Sequence, residues 1–308
     1  MSKDFLSVLD LTASELSRLL ELSRRLKLDR RLGPQAPTAH ALAGQHVAML
    51  FEKPSLRTRS TFEIAVKELG AETLHVPSEF ADGSREPLDD VARNLERWVH
   101  GLVVRTYAQG KVAMMAAAAP RLHVINALSD EQHPCQALAD MMTLQERLGS
   151  LSGRRIAFVG DGNNVATSLA HAAALLGMTL HVASPRGYEL PEDAVRAASD
   201  AARDGAEIRL FTDPHEAVAG ADAVYTDVWT SMGQERETER RRNVFAPYQV
   251  NSVLMKAAAA GALFMHCLPA HRGEEVTAEV LDQPTSVVFD QAENRLHTQK
   301  ALLLMLLS

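Results

Sequence analysis

Residues 51 to 61, FEKPSLRTRST, gather cationic and hydroxyl side chains that could bind a small anion. The apolar run VAML precedes them, Pro54 interrupts the extended chain, and Ser55 is placed to cap a helix that begins near Leu56 or Arg57. Backbone N–H groups at a helix start, guanidinium forks and hydroxyls all bind phosphate or carboxylate. A capped helix with solvent-exposed arginines is the alternative interpretation. The side chains concerned are Lys53, Ser55, Arg57, Thr58, Arg59, Ser60 and Thr61.

Two histidine–cysteine pairs are the next candidates for chemistry. His133 and Cys135 stand in EQHPCQ, and His266 and Cys267 stand in FMHCLPAHRG. Neither pair has a recognised metal-ligand spacing, and His266 and Cys267 point to opposite faces if one strand continues through both. Each cysteine is interpreted as a small buried apolar residue, and no metal site is predicted.

The segment FVGDGNNVATSL follows a predicted strand and could be taken for a dinucleotide-binding motif. Gly160 and Gly162 fit, but Val165 stands where a third glycine belongs, and the next strand, TLHVAS, ends without an acidic residue for a ribose. The glycines are better explained by a tight turn. Asn163 and Asn164 are then placed at the carboxyl edge of the sheet as hydrogen-bonding groups for a ligand.

TDVWTSMG also follows a predicted strand and offers Asp227 and Ser231 at its carboxyl end. A turn cap is the alternative role for Asp227, and core packing is the alternative for Trp229 and Met232. The charged run ERETERRRN at 235 to 243 is interpreted as a solvated loop or helix face.

Short apolar runs alternate with amphipathic helical patterns, which predicts an α/β protein with parallel sheets. The first helix begins with the capping-box pattern Thr12-Ala13-Ser14-Glu15, and another amphipathic helix runs from Leu88 through Trp98 to Val99. The predicted strands are VAML (47–50), TLHV (73–76), LVV (102–104), HVINAL (123–128), RRIAFV (154–159), TLHVAS (179–184), EIRLF (207–211), DAVYTD (222–227), ALFMHCL (262–268) and SVVFD (286–290).

Two domains are predicted, each a parallel sheet flanked by helices. The first covers residues 1–134 and receives a C-terminal helix of about 291–308, which packs back on it. A linking helix at 135–149 leads to the second domain at 150–290.

Composition limits the possible partners and compartments. The 308 residues are 46% hydrophobic and 23% charged, with a net charge of -7, so no overall attraction to nucleic acid or to an anionic membrane is expected. The N-terminus, MSKDFLSVLD, lacks the apolar run of a signal peptide, and the two cysteines form no disulfide framework. A soluble cytoplasmic protein is predicted.

Six motifs in this order resemble the signatures of the aspartate/ornithine carbamoyltransferase family, from about Leu6 to the C-terminus. They are SLRTR, HPCQALAD, GDGNNV, DVWTSMG, HCLPAHRGEEV and AENRLHTQK. SxRTR and HPxQ are similar to both branches of the family, whereas DxxxSMG and HCLP resemble the ornithine branch.

The resemblance implies a carbamoyl-phosphate domain followed by an ornithine domain, in a homotrimer with active sites at subunit interfaces. The implied reaction transfers the carbamoyl group of carbamoyl phosphate to the δ-amine of L-ornithine, giving L-citrulline and phosphate. It would serve arginine biosynthesis or, in reverse, arginine degradation. No metal or organic cofactor is implied.

The resemblance also assigns residues to the two substrates. Those for carbamoyl phosphate are Ser55, Leu56, Arg57, Thr58, Arg59, Arg105, His133, Gln136, Cys267, Leu268 and Arg295. Those for ornithine are Asn164, Asp227, Ser231 and Met232. The catalytic residues among them are Arg105, His133, Asp227 and Cys267.

Two positions depart from the family pattern. In the loop at 78–91 the family usually has a glutamine that reaches the neighbouring subunit, and here Ala81 or, with a gap, Glu79 takes its place. Leu56 stands where threonine is commoner. Alternative hypotheses are therefore a carbamoyltransferase for putrescine, lysine or an N-acylated ornithine, and a catalytically weak binding paralogue. A nucleotide-dependent oxidoreductase is the alternative based on GDGNN.

Overall fold

The computed structural model describes residues 2–80, 83–231, 233 and 235–308. The chain forms two compact units, one of Met1–Met142 with Glu293–Ser308 and the other of Thr143–Ala292. The chain passes from one unit to the other twice, each time within a long helix: α5 at Pro134–Leu148 and α12 at Val288–Leu307. The last sixteen residues therefore pack with the first unit, as predicted for the C-terminal helix.

The first unit is built on a parallel sheet with the strand order β2-β1-β3-β4. Every residue of β3 is buried, which is expected for a parallel strand covered by helices on both faces. The strands are β1 His46–Phe51, β2 Glu72–Val76, β3 Gly101–Arg105 and β4 His123–Leu128. The helices before α5 are α1 Ala13–Asp29, α2 Arg57–Glu68, α3 Leu88–Leu95 and α4 Gln109–Ala118.

The second unit has a parallel sheet with the order β7-β6-β5-β8-β9. Its strands are β5 Arg155–Val159, β6 Thr179–Ala183, β7 Glu207–Phe211, β8 Ala223–Thr226 and β9 Leu263–His266. Its helices between α5 and α12 are α6 Asn164–Leu175, α7 Glu192–Ala201, α8 Pro214–Val218, α9 Thr238–Phe245, α10 Ser252–Met255 and α11 Ala278–Leu281. The α/β prediction with two parallel sheets is confirmed.

Each sheet has a point where the strand order reverses, between β1 and β3 in the first unit and between β5 and β8 in the second. Ligands of open α/β sheets bind beyond the carboxyl ends of the strands at such a point. The segments that follow these four strands begin at Glu52, Thr106, Gly160 and Asp227. Three of the six sequence motifs, SLRTR, GDGNNV and DVWTSMG, therefore lie in segments that the topology favours for ligands.

The capping box predicted for the first helix is confirmed. Thr12 Oγ1 accepts from the backbone N–H of Glu15 at 3.2 Å, and Glu15 accepts in return from the N–H of Thr12 at 2.9 Å. These bonds satisfy two of the amide hydrogens that a helix start leaves open. Helix α1 then buries Leu16, Leu19 and Leu20.

Two sequence predictions about elements are wrong. SVVFD is not a strand: Ser286 makes a single bridge to Phe264, and α12 already begins at Val288. A short apolar run does not distinguish a buried strand from the first turn of a buried helix. The predicted helix to Val99 is too long, because α3 stops at Leu95. After it, the N–H groups of Arg97 and Trp98 bond to the carbonyl oxygens three residues earlier, as in a 3-10 turn. The Trp98 side chain is 64% exposed.

No helix among the described residues is both long and apolar enough to cross a membrane.

His297 in α12 is a buried titratable side chain in the first unit. It is fully buried, and its ring nitrogens have no hydrogen-bond partner among the described residues. Burial, together with the nearby cations Lys27, Arg30 and Lys300, lowers the pKa of His297 to about 4. The folded chain therefore keeps this imidazole neutral at pH values where the unfolded chain protonates it.

We expect His297 to make the protein less stable in acid. The unfolded histidine takes up a proton near pH 6.5, whereas the folded one resists until about pH 4. The free energy of unfolding should therefore fall across this window, by about 3 kcal/mol from this residue. His297→Gln should flatten the slope in chemical denaturation series at several pH values. The exposed His40→Gln control should leave the slope unchanged, and equal slopes for all three proteins would contradict the prediction.

Candidate active site

The anion-binding segment after β1 begins a helix, but Ser55 does not cap it. Helix α2 starts at Arg57, and its cap position is Leu56, which makes no side-chain capping bond. The predicted Ser55 cap is therefore wrong. Backbone N–H groups at this helix start have no capping side chain, and an anion is a suitable acceptor for them.

Thr58 and Arg295, two of the predicted carbamoyl-phosphate residues, are joined directly. Arg295 Nη2 donates to Thr58 Oγ1 at 2.6 Å, and these residues are 3% and 1% exposed. Arg295 is on α12, so the return of the C-terminal helix to the first unit creates this contact. Sequence order alone separates the two residues by 237 positions.

His133 is surrounded by buried positive charge. Burial holds its pKa well below the usual range, and Arg295, Arg105 and Lys53 lower it further. Arg105 at the end of β3 is 7% exposed, and His133 just before α5 is 5% exposed. A neutral imidazole has a ring N–H that can donate to a carbonyl oxygen.

Gln136 lies three residues after His133, and its side-chain oxygen is available as a hydrogen-bond acceptor. Its Nε2 donates to Asp140 Oδ1 at 2.8 Å, and its buried Oε1 has no hydrogen-bond partner among the described residues. The Asp140 bond therefore assigns the amide orientation, with Oε1 left as the acceptor. An amide N–H of a ligand would satisfy that oxygen.

The remaining predicted residues of this cluster are more exposed. Arg57 is half-buried, and Arg59 is exposed, with its guanidinium 5.2 Å from the centre of the Phe51 ring. Ser55 is half-buried, whereas the Leu56 side chain is 76% exposed. Leu56 can therefore offer a ligand only its backbone without moving its side chain.

Cys135 confirms the prediction of an unreactive buried cysteine. It is fully buried, its Sγ donates to the backbone oxygen of Asn126 at 3.4 Å, and burial raises the pKa of the thiol to about 12. A thiol with so high a pKa stays protonated at neutral pH and is a poor nucleophile.

Asp227 is the centre of the polar cluster in the second unit. Its Oδ1 accepts from the Val228 N–H at 2.8 Å and from Cys267 Sγ at 3.0 Å, and its Oδ2 accepts from Asn163 Nδ2 at 2.7 Å. These donors lie on segments that follow β5, β8 and β9. Cys267 is therefore not a simple buried apolar residue, and that part of the sequence interpretation is wrong.

The GDGNN segment is shaped by the chain beside it. A side chain at Gly162 would lie 2.3 Å from the backbone nitrogen of Leu190, so only glycine fits there. Asn163 caps α6 through its Oδ1, while its Nδ2 bonds to Asp227. This packing explains Gly162 without a dinucleotide, and it places Asn164 in the first turn of the helix.

His266 holds the backbone of the HCLP segment. Its Nδ1 accepts from the Leu268 N–H at 2.8 Å, so Nε2 carries the hydrogen that points to Glu275, 3.2 Å away. Glu275 also accepts from the His271 N–H at 2.6 Å. These bonds support Leu268, whose φ of 60° is unusual for a residue with a side chain.

Ligand-type atoms of Asp227, His266 and Cys267 all lie within 4.8 Å of one another. The expected opposite orientation of His266 and Cys267 does not apply, because β9 ends at His266. A metal bound to His266 would have to displace one of two existing ring contacts. The donor set does not call for a metal.

Arg241 is a site residue that the sequence interpretation missed. It is 5% exposed, although it stands in the charged run interpreted as solvated. Its Nη1 donates to Asp161 Oδ2 at 2.7 Å and to the backbone oxygen of Trp229 at 2.9 Å. Arg241 thus joins the turn after β5 to the segment after β8.

Two predicted positions lie in or beside parts of the chain that the structure does not describe. Met232 and Ala81 are outside the described residues. Ser231 is half-buried, just beyond the buried Trp229, which packs in the core as the alternative interpretation had it. Glu79 pairs with Arg85 Nη1 at 2.9 Å, and both side chains are exposed.

Two parallel α/β units, each with polar side chains at the reversal point of its sheet, define a two-domain α/β protein. The chain belongs to the aspartate/ornithine carbamoyltransferase family: its carbamoyl-P binding domain model matches residues 3–146, and its Asp/Orn binding domain model matches residues 152–306.

Similar proteins cover the whole length of the chain. It is 50% identical to a protein of Methanospirillum hungatei named ornithine carbamoyltransferase, over 100% of both chains. A protein of Parafrankia sp. with the same name is 52% identical over 99% of this chain and 96% of its own length. The solved ornithine carbamoyltransferase of Pyrococcus furiosus superposes with a TM-score of 0.92 at 47% identity, covering 97% of this chain and 95% of that one.

Proposed function

We propose that the protein transfers the carbamoyl group of carbamoyl phosphate to the δ-amine of L-ornithine, forming L-citrulline and phosphate. The observation that carries the proposal is the cationic cluster around His133 in the first unit. The second unit separately holds the hydrogen bond from Cys267 Sγ to Asp227 Oδ1. The names of relatives that match the full chain support ornithine as the amine.

In this proposal the first unit holds carbamoyl phosphate. Arg57, Arg59 and the open amide hydrogens of α2 bind the phosphate, together with Ser55 and the backbone of Leu56. Gln136 Oε1, which has no partner among the described residues, accepts from the carbamoyl amide. Arg295 holds the Thr58 hydroxyl beside the same group.

Arg105, His133 and Thr58 stabilise the negative charge that develops on the carbamoyl oxygen during attack. His133 donates as a neutral imidazole, because burial and neighbouring cations keep the pKa of His133 low. Fixed donors aimed at a developing oxyanion are each worth about 3 to 4 kcal/mol in the transition state. The phosphate leaves toward the arginines, and no covalent enzyme intermediate is needed.

The second unit prepares the amine. The δ-amine of ornithine resembles that of lysine, with a pKa of about 10.4, so it must lose a proton before it attacks. Asp227 accepts from Cys267 Sγ, and this pair provides the route for that proton. Asn164, Asp227, Ser231 and Met232 bind the α-carboxylate and α-ammonium groups. Cys267 and Leu268 are the residues of this unit that the family resemblance assigns to the carbamoyl group.

The decisive experiment is a steady-state assay of purified protein with carbamoyl phosphate and a panel of amines. We expect citrulline from ornithine, with putrescine and N-acetylornithine at least about tenfold poorer in kcat/KM, because putrescine lacks the α-carboxylate and N-acetylornithine lacks the α-ammonium group. Lysine should also be about tenfold poorer, because its extra methylene displaces the reacting amine when the α-substituents are bound. A better rate with one of the other amines would replace ornithine. Tight binding of N-phosphonoacetyl-ornithine without turnover would identify a binding paralogue instead.

Two substitutions test the assignment of substrates to units. Arg57→Ala should abolish carbamoyl-phosphate binding, because it removes a guanidinium group that binds the phosphate. Asp227→Ala should mainly lower kcat/KM for ornithine. Calorimetry with carbamoyl phosphate and initial rates against ornithine separate the effects. The exposed Arg31→Ala and Asp200→Ala serve as charge-matched controls. The reverse pattern would show that the two substrates have been assigned to the wrong units.

We further propose a cytoplasmic homotrimer whose active sites lie at subunit interfaces, acting in arginine biosynthesis. Family membership supports the assembly, and the word anabolic in the name of a Pyrococcus furiosus relative supports the direction. Light scattering should give three times the chain mass of 33.6 kDa. A monomer mass at assay concentration would contradict the trimer.

A further inference from the structure

Lys53 is a buried cation that the family resemblance assigns to neither substrate. It stands two residues after β1 and is only 4% exposed. Lysine is seldom buried to this extent, because taking an ammonium group out of water is costly unless it interacts with other groups. Its surroundings therefore indicate what the buried charge does.

The ammonium group of Lys53 touches two neighbouring segments at the carboxyl edge of the sheet. Its Nζ lies 2.5 Å from Asp130 Oδ1 and 4.1 Å from the centre of the Tyr107 ring. Tyr107 follows β3, and Asp130 follows β4. A backbone bond of 2.7 Å from the Asp130 N–H to the Tyr107 oxygen joins these two segments as well.

Each of the three joined segments carries a different part of the proposed carbamoyl-phosphate site. Lys53 immediately precedes the loop with Ser55 to Arg59, Tyr107 is two residues from Arg105, and Asp130 is three residues from His133. Lys53 thus ties three separate strand ends at the place where their relative position decides the geometry of the site. Misplacement of reacting groups by about 1 Å is enough to cost about a hundredfold in rate.

The charge of Lys53 also acts on His133, a buried residue of the site. Its partner Asp130 is 56% exposed, so water screens the carboxylate more than it screens the buried ammonium group. Charged groups that lower the pKa of His133 include Arg295 from α12, Arg105 from β3 and Lys53. All three are cations, and all three oppose protonation of His133.

We infer that Lys53 is a positioning residue of the carbamoyl-phosphate half-site: it ties together the segments that present Ser55–Arg59, Arg105 and His133, and its buried charge adds to the positive field there. The inference rests on the proposed function. It concerns a residue that acts through its neighbours, and no contact of Lys53 with substrate is required.

The test compares Lys53→Met, Lys53→Arg and Asp130→Asn with Lys111→Met. Lys111 is a lysine at the same sheet edge that pairs with Glu52 at 2.9 Å, and it is not among the charges that lower the pKa of His133. His133 is followed by NMR of protein with labelled histidine rings and assigned with His133→Gln. Binding of inorganic phosphate is measured by calorimetry, and kcat/KM for carbamoyl phosphate is measured against pH.

In Lys53→Met the His133 titration should begin about 0.5 to 1 pH unit higher, because one opposing cation is gone. Phosphate binding should weaken, and kcat/KM for carbamoyl phosphate should fall about tenfold to a hundredfold. Lys53→Arg should restore the titration of the wild type. Asp130→Asn should lower kcat/KM without raising the pKa of His133, and Lys111→Met should change neither quantity.

An unchanged His133 titration and unchanged phosphate affinity in Lys53→Met would overturn the inference. Equal losses in all variants with no shift in titration would also overturn it, since they would show a structural role alone. If Lys53→Met does not fold, Lys53→Gln supplies the neutral variant for the same comparison. Titration and phosphate binding need no turnover, so a wild type that fails with ornithine refutes the proposed function and leaves this test intact.

Discussion

The structure of the first unit depends on keeping several cations close together out of water. Arg105, Arg295 and Lys53 are each less than a tenth exposed and all act on His133. Like charges repel more strongly in a protein interior than in water, so such a group is unfavourable unless neighbouring oxygens and an anionic ligand offset it. Thr58 and Asp130 supply part of the compensation. An anionic ligand would stabilise the cluster further, as the proposed function requires.

The second unit also has a parallel sheet with one reversal point, but its polar cluster is centred on a negative charge instead of several positive ones. Its central charge is a single carboxylate, Asp227, which Asn163 and Cys267 hold from two neighbouring segments. In both units some of the polar groups follow the strands at which the sheet order reverses, and others follow the neighbouring strand, β4 or β9. Parallel strands bring chain segments from distant parts of the sequence to one edge, and the reversal point leaves room there for a ligand. A second layer, including Arg241, then fixes the segments that carry the contacts.

The alternation of apolar runs and helical patterns was enough to predict two parallel α/β sheets, because strands buried on both faces must be apolar throughout. Local capping could also be predicted, since the Thr12–Glu15 box involves residues three apart. The failures occurred where local pattern is ambiguous. SVVFD is as suitable for the start of a buried helix as for a strand, and Trp98 leaves the apolar face because the chain tightens after α3.

By itself, the sequence determined the family, the order of the elements and the identity of most polar groups at the strand ends. These properties depend on residue type and short-range spacing. Only the tertiary structure decided that Arg295 bonds to Thr58, that Cys267 donates to Asp227 and that Arg241 and Lys53 are buried. Such facts depend on which distant segments pack together. A charged residue in a polar run has the same local pattern whether its fold leaves it in water or surrounds it with other segments.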